Sequence, residues 1–265
     1  MIESRQSLSV SRILIALDTS GHDNHVLDTA VQLAANRGVE LVTLFIEDQD
    51  LVHLAEFPFA REIERGSGAE RKLDSLRMTR ALRSEAQRVS RRLKDITRQI
   101  HVRYSLKTVR GSYMAEAMAA VTGTDILFLS RSMGVFRRHA TVGRRSLLTR
   151  PPSRPGHSGN VWVWYQSSPS SEAALAVAAE IAGVNRRLVL LCSDTANDEL
   201  LEQLRQRHAG IDYTVMSAVE QERLVDLICA DRSGLLVVHA GDLAEGGRIS
   251  SKFLEELGYP VAVVF

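Results

Sequence analysis

The sequence predicts an α/β fold, with two doubly wound parallel-sheet domains of the nucleotide-binding-like kind in tandem. Three observations carry this. Short apolar runs, ILIAL at residues 13–17, LVTLFI at 41–46 and DILFLS at 125–130, read as strands buried on both faces. Helical segments separate the runs, giving a β-α-β-α order whose crossovers should be right-handed. The pattern then returns: NVWVWYQSS parallels RILIALDTS, and SSEAALAVAAEIAG parallels the first helix. A period of roughly 120–150 residues is that of a domain and not of a short-repeat solenoid.

In the first half, the strand at 13–17 ends in Asp18, Thr19 and Ser20. A helix over residues 23–36 puts Val26, Leu27, Ala30, Val31 and Ala34 on one face and stops at Gly38. The strand at 41–46 completes a βαβ unit. Residues 47–68 are irregular and end in GSG. Residues 74–100 form a long helix with an apolar stripe of Leu82, Ala86, Val89, Leu93, Ile96 and Ile100. Its other face carries Arg77, Arg80, Arg83, Arg88, Arg91, Arg92, Lys94 and Arg98, a solvated face or a surface for an anionic partner. Val102, Tyr104 and Leu106 alternate as a strand. A short helix over 113–121 has its two methionines in the core, and 125–130 is the fourth strand.

In the second half the expected elements are strands at NVWVWY, LVLLCS, IDYTVM, LLVVHA and VAVVF. Helices are expected after Ser170 or Ser171 and over 198–207, 220–230 and 250–256. The first half lacks an apolar run after Arg150, so it should have four parallel strands to the second half's five. The domains are therefore placed at residues 1–150 and 151–265.

The chain has 265 residues, a net charge of +1, and 45% apolar and 25% charged residues. This is the composition of a globular protein and not of a general nucleic-acid coat. The apolar runs are too short to span a bilayer, and residues 1–12 have no signal-peptide core. Cys192 and Cys229 sit in apolar contexts, as buried thiols of a reducing, cytoplasmic setting would. Nothing has metal-site spacing. Against this balance, residues 126–171 contain no Asp or Glu, while Arg131, Arg137, Arg138, Arg144, Arg145, Arg150 and Arg154 fall inside. The segment follows the carboxyl end of the fourth strand, where open α/β sheets bind ligands.

RILIALDTS with its helix, GSYMAEAMAAVTGTDILFLSRSMG, and ERLVDLICADRSGLLVVHAG with LEELGYPVAVV resemble the universal stress protein family. The likeness covers both halves and is closer in the first. ATP-binding members of that family carry G-x-x-G-x9-G-S/T after the fourth strand. Glycine amides and a helix N-terminus there hold phosphates. Here the motif reads S-x-x-M-x9-G-R, with Ser130, Met133, Gly143 and Arg144 in the motif positions and Gly134 adjacent to Met133. Asp18 matches the family aspartate placed near base and ribose. The resemblance thus implies a degenerate nucleotide site at Asp18, Ser20, Ser130, Gly134, Gly143 and Arg144. In the second half Gln166 replaces the aspartate, and GDLAEGG is acidic where phosphate would bind, so nucleotide binding there is not expected. His239 reads as a packing residue.

No Walker lysine motif or nucleophile elbow is present, so the chain is not expected to be an enzyme. The expectation is a non-catalytic stress-response protein of the universal stress protein type. It would act through a protein partner or self-association, with no cofactor and weak or absent nucleotide binding. The alternative is an ATP/AMP-binding sensor that uses the first domain only. Membrane insertion is not expected. Phe136 alone gives Arg131–Arg154 little stacking surface for nucleic acid.

Overall fold

The computed structural model describes residues 10–18, 24–63, 68–130, 159–166, 168–183, 187–192, 213–216, 234–243 and 259–265, with a few single residues between them. Two compact units divide the chain, Ser9–Ser130 in one and Arg131–Phe265 in the other. The boundary expected at 150/151, any strand between 147 and 158, and the arginine-rich island lie outside the described residues.

In the first unit, strands β1 (Arg12–Leu17), β2 (Glu40–Asp48), β5 (Tyr104–Gly111) and β6 (Asp125–Ser130) form a sheet in the order β5-β2-β1-β6, every pair parallel. The two middle strands and β6 are buried nearly throughout, as unbroken apolar runs require when helices cover a sheet. Phe45 and Phe128 are the largest of the fully buried side chains. Helix α1 (Asn24–Arg37) packs against β1, β2 and β6 and ends at Gly38, whose φ of 66° lies in the left-handed region that glycine adopts without strain. Strand β5 is an edge strand with exposed side chains, longer than alternation at 102–106 suggested. Its Arg110 pairs with Glu47 directly opposite, Nη2 to Oε2 at 2.8 Å.

Helix α2 (Gln49–Leu54) and an antiparallel hairpin, β3 (Arg61–Ile63) with β4 (Glu70–Lys72), occupy the stretch that read as irregular. Three-residue strands carry no period for a sequence to display. Helix α3 (Ser75–Ile100) is capped by Asp74, whose carboxylate accepts from Leu76 N at 3.0 Å. Its expected stripe is only partly right. Leu82 and Leu93 are buried, but Ala86, Val89, Ile96 and Ile100 are half-exposed, and Glu85 and Thr97 are buried instead. Both polar groups are satisfied locally: Glu85 pairs with Arg88 at 2.8 Å, and the Thr97 hydroxyl donates to Leu93 O at 2.6 Å. Helix α4 (Tyr113–Ala119) buries Met114 but leaves Met118 exposed, so one methionine of the pair is core and the other is not.

The amino end of this sheet is locked by charge. Asp125, fully buried, accepts from Arg12 Nε at 3.0 and 3.1 Å and from Arg12 Nη2 at 2.8 Å. It also accepts from Thr122 N at 2.7 Å and from Ser11 Oγ at 3.1 Å. Burial, the largest influence, pushes the Asp125 carboxyl up. The hydrogen bonds from Arg12, Thr122 and Ser11 together outweigh it and hold the group below the usual carboxylate range.

The second unit has five described strands: β7 (Val161–Tyr165), β8 (Leu188–Cys192), β9 (Tyr213–Met216), β10 (Leu235–His239) and β11 (Val261–Val264). They run parallel in the order β11-β10-β7-β8-β9. In chain order both units read third-second-first-fourth, and a fifth strand extends the second. Helix α5 (Pro169–Ala182) covers β7 and β10. Its cap is Ser168 and not Ser170 or Ser171, because Pro169 takes the first helical position, where its missing N–H costs nothing. Cys192 is buried, as expected. Cys229 and the helices expected at 198–207, 220–230 and 250–256 lie outside the described residues, single positions aside.

Candidate functional site

A doubly wound sheet opens a crevice at the carboxyl ends of the two strands from which the chain departs in opposite directions. In the first unit those strands are β1 and β6. Their register pairs Leu17 with Ser130, so Ser130 closes β6 level with Leu17 and Asp18 follows one residue beyond on β1. Both are buried, with Asp18 at 7% exposure and Ser130 at 1%. The Ser130 hydroxyl has no hydrogen-bond partner among the described residues. Tyr113, from the start of α4, donates its hydroxyl to Ala16 O at 2.8 Å and so fixes that helix two residues short of Asp18. Two of the expected site residues, Asp18 and Ser130, thus lie at the carboxyl ends of adjacent strands. The other four expected site residues, Ser20, Gly134, Gly143 and Arg144, lie outside the described residues.

The corresponding strands of the second unit are β7 and β10. Gln166 follows β7, and its backbone N–H donates to Ser171 Oγ at 3.1 Å, while Ser168 and Ser171 share a 2.9 Å hydroxyl contact. His239 ends β10 and leads into a 3-10 turn, Ala240–Leu243. Its Nδ1 accepts from Gly241 N at 2.9 Å, which leaves the proton of the neutral ring on Nε2. Gly241 packs closely: a Cβ there would lie 3.1 Å from His239 Nδ1 and 3.4 Å from Ser170 Oγ. Asp242 is buried three residues after the histidine, and its Oδ2 has no partner among the described residues.

Burial governs the charge of this group. It lowers the His239 pKa below the ordinary value, opposed by the nearby Asp242 charge. It raises the Asp242 pKa, opposed by a hydrogen bond from the His239 backbone and by His239 charge. Both groups are displaced toward their neutral forms. Residues 166–171 and 239–243 contain no Lys or Arg. Among the described residues here, an anion would meet a buried carboxyl and a neutral imidazole. His239 thus has the local partner expected of a packing residue. Asp242 and Ser171 were not singled out from sequence; the only signal was an Asp three positions past the strand end. Among the described residues no group of three His, Cys, Asp or Glu could hold a metal ion.

Comparison with solved structures finds universal stress proteins. One, from Archaeoglobus fulgidus DSM 4304, is 12% identical, covers 96% of this chain and 95% of its own, and has a TM-score of 0.44. Another protein of that family, from Burkholderia pseudomallei, is 17% identical, covers 78% of this chain and 95% of its own, and has a TM-score of 0.27. This chain is similar to universal stress protein structures over most of its length. No protein-family model and no curated protein matches the sequence. The α/β architecture of parallel sheets stands on the strands and helices described above, and the chemistry on the residues themselves.

Proposed function

We propose that this chain is a non-catalytic stress-response protein of the universal stress protein type. It would act through protein contacts, with weak or absent nucleotide binding. The observation that most supports the reading is Asp242: a buried carboxyl stands at the second unit's crevice, where a nucleotide's phosphates would need cations. The first crevice departs from a phosphate site in its sequence. Ser130 and Met133 occupy two motif positions that are glycine in ATP-binding members. Each lost backbone bond to a charged phosphate is worth about 1.5–3 kcal/mol. Two such losses, about 3–6 kcal/mol together, turn a micromolar site into one of about 0.1 mM affinity or weaker.

The alternative, an ATP/AMP sensor confined to the first unit, is favoured by one specific observation. Asp18 and the Ser130 hydroxyl, which has no hydrogen-bond partner among the described residues, lie at the carboxyl ends of adjacent strands. Titration calorimetry with ATP–Mg on the full chain and on Asp18→Ala separates the two readings. No heat at micromolar nucleotide is the expected result. Micromolar affinity abolished by Asp18→Ala would overturn the proposal and establish the sensor.

A further inference from the structure

Helix α3 carries eight Lys and Arg residues against two acidic ones, in a chain whose net charge is only +1. Five of these cations, Arg80, Arg83, Arg91, Lys94 and Arg98, are exposed and line up. At about 100° of turn per residue they fall within about 80° of one another around the axis, away from the buried Leu82 and Leu93. None of the five has an ion pair among the described residues, whereas Arg88 and Arg92 of the same helix pair with Glu85 and Asp28. Arg91 Nε reaches only its own helix, donating to Gln87 O at 3.4 Å.

The row has a gap in its middle. From Arg80 to Arg98 it runs about 27 Å, at about 1.5 Å per residue. Arg80 and Arg83 form one group, and Arg91, Lys94 and Arg98 form the other. Arg83 and Arg91 are eight positions apart, so about 12 Å of this face separates the groups without an unpaired cation. Ser84 and Gln87, both exposed and uncharged, stand in that interval. Arg88 falls in the same stretch of sequence, but it lies about 100° further round the axis, and Glu85 neutralises it at 2.8 Å.

We propose that α3 lies across the major groove of B-form duplex DNA, with Arg80 and Arg83 against the phosphates of one wall and Arg91, Lys94 and Arg98 against those of the other. Charge complementarity selects an anionic partner, and guanidinium suits phosphate oxygens. The gap decides which one. The major groove of B-form DNA is about 12 Å wide, which is the length of the interval between Arg83 and Arg91. A single strand is held largely by stacking its bases on aromatic side chains, and α3 has no aromatic residue. Duplex RNA spaces its phosphates differently, across a deep, narrow major groove and a wide, shallow minor one. A bilayer or an unstructured polyanion presents charge without interruption and gives the gap no role. Phosphate contacts carry no sequence information, so the binding is independent of sequence. The inference goes beyond the reading proposed above and does not depend on whether either crevice holds nucleotide.

The test is fluorescence anisotropy of the full chain with a labelled DNA duplex of about 20 base pairs, and with duplex RNA and single-stranded DNA of the same length, over a range of salt. Five phosphate contacts give log affinity a slope of about −4.5 against log salt, so affinity for duplex DNA should fall about 500-fold between about 50 and 200 mM. Duplex DNA should be bound at least about tenfold more tightly than either of the other two polymers. Arg83→Gln/Arg91→Gln removes the two contacts that border the gap, and the slope should drop to about −2.7, a fall of about 40-fold over the same range. Lys107→Gln, an exposed cation on strand β5, should leave the slope unchanged. Circular dichroism melts matching wild type establish that the variants fold. Equal affinity for the three polymers, no binding at about 50 mM salt, or a slope untouched by the double substitution overturns the proposal. So does duplex binding that Lys107→Gln weakens as much as the double substitution does.

Discussion

Replacing Arg12 by alanine should expose how the first unit is held together. The substitution removes three hydrogen bonds to the Asp125 carboxylate, at 2.8–3.1 Å, and leaves that carboxylate buried. It also removes bonds from Nη2 to Ala120 O at 2.8 Å and to Thr122 Oγ1 at 3.0 Å. Breaking one side of a buried pair costs about 3–5 kcal/mol. Arg12 is 27% exposed and Asp125 keeps its bonds from Thr122 and Ser11, so the low end applies, about 3 kcal/mol. In a unit of this size that is a fall of about 10 °C in melting temperature. The penalty should depend on pH in a definite sense. In the wild type the Asp125 pKa is lowered on folding, so its contribution is complete above the unfolded value, about 4, and is lost as pH falls through the folded one. In the variant the chief opposing bond is gone and burial pushes the carboxyl up. Protonation then relieves the stranded charge, and the gap between wild type and variant narrows on acidification. Urea unfolding followed by circular dichroism, from about pH 7 down to about pH 3.5, measures this. A gap that stays constant over the range, or a cost under about 1 kcal/mol at neutral pH, would refute the account of a buried, arginine-dependent lock.

Two further outcomes follow from packing and burial in the second unit. Gly234→Ala should destabilise by about 2–3 kcal/mol, since the new Cβ would collide with the Tyr259 hydroxyl and lie 2.7 Å from Asn160 O, a backbone atom already accepting from Leu235 N at 3.0 Å. Both tryptophans, Trp162 and Trp164, lie on the neighbouring strand β7, so their fluorescence midpoint in urea should fall accordingly, and an unchanged midpoint would count against the model of a filled site. Asp242→Asn should alter the pH profile. Because the folded pKa of Asp242 is raised, the folded state binds more protons between the unfolded and folded values, and wild-type stability declines as pH rises through that window. The asparagine variant should lose that decline, and the same slope in both proteins would show that burial does not govern this carboxyl.

The strands were legible because a strand covered on both faces must be apolar at every position. ILIAL, DILFLS, VWVWY and VAVV all show it, and DILFLS was delimited to the residue. What escaped was decided by neighbours distant in sequence or by very short elements. The edge strand β5 is held by backbone pairing to β2, so Lys107 and Arg110 can sit in it without an apolar pattern. The α3 stripe was misjudged because Glu85 and Thr97 find local partners that make their burial tolerable, which periodicity cannot foresee. Ser168 was passed over as a cap in favour of later serines, although Pro169 pointed to it. That Asp18 and Ser130 end adjacent strands was legible because topology fixes where those strands stop. Asp242 was not, because a single Asp in a turn looks the same whether buried or solvated.

The two units agree at one end and differ at the other. At the amino ends, each fastens the start of its first strand with a carboxylate near the start of its fourth. Asp125 opens β6 and accepts from Ser11 and Arg12, while Asp231, four residues before β10, accepts from Asn160 N at 2.8 Å just ahead of β7. A parallel pair has no hairpin to set its register, and an acceptor reached from the correct neighbour, buried at Asp125 and half-buried at Asp231, does that work. Strand order and this fastening are shared, so they answer to folding. At the carboxyl ends the first unit offers Asp18 and Ser130, whereas the second offers Gln166, His239 and Asp242. Those ends bear little on sheet registry and can diverge without loss of fold. The described groups of the two crevices therefore do not match, although the order of the strands that carry them does.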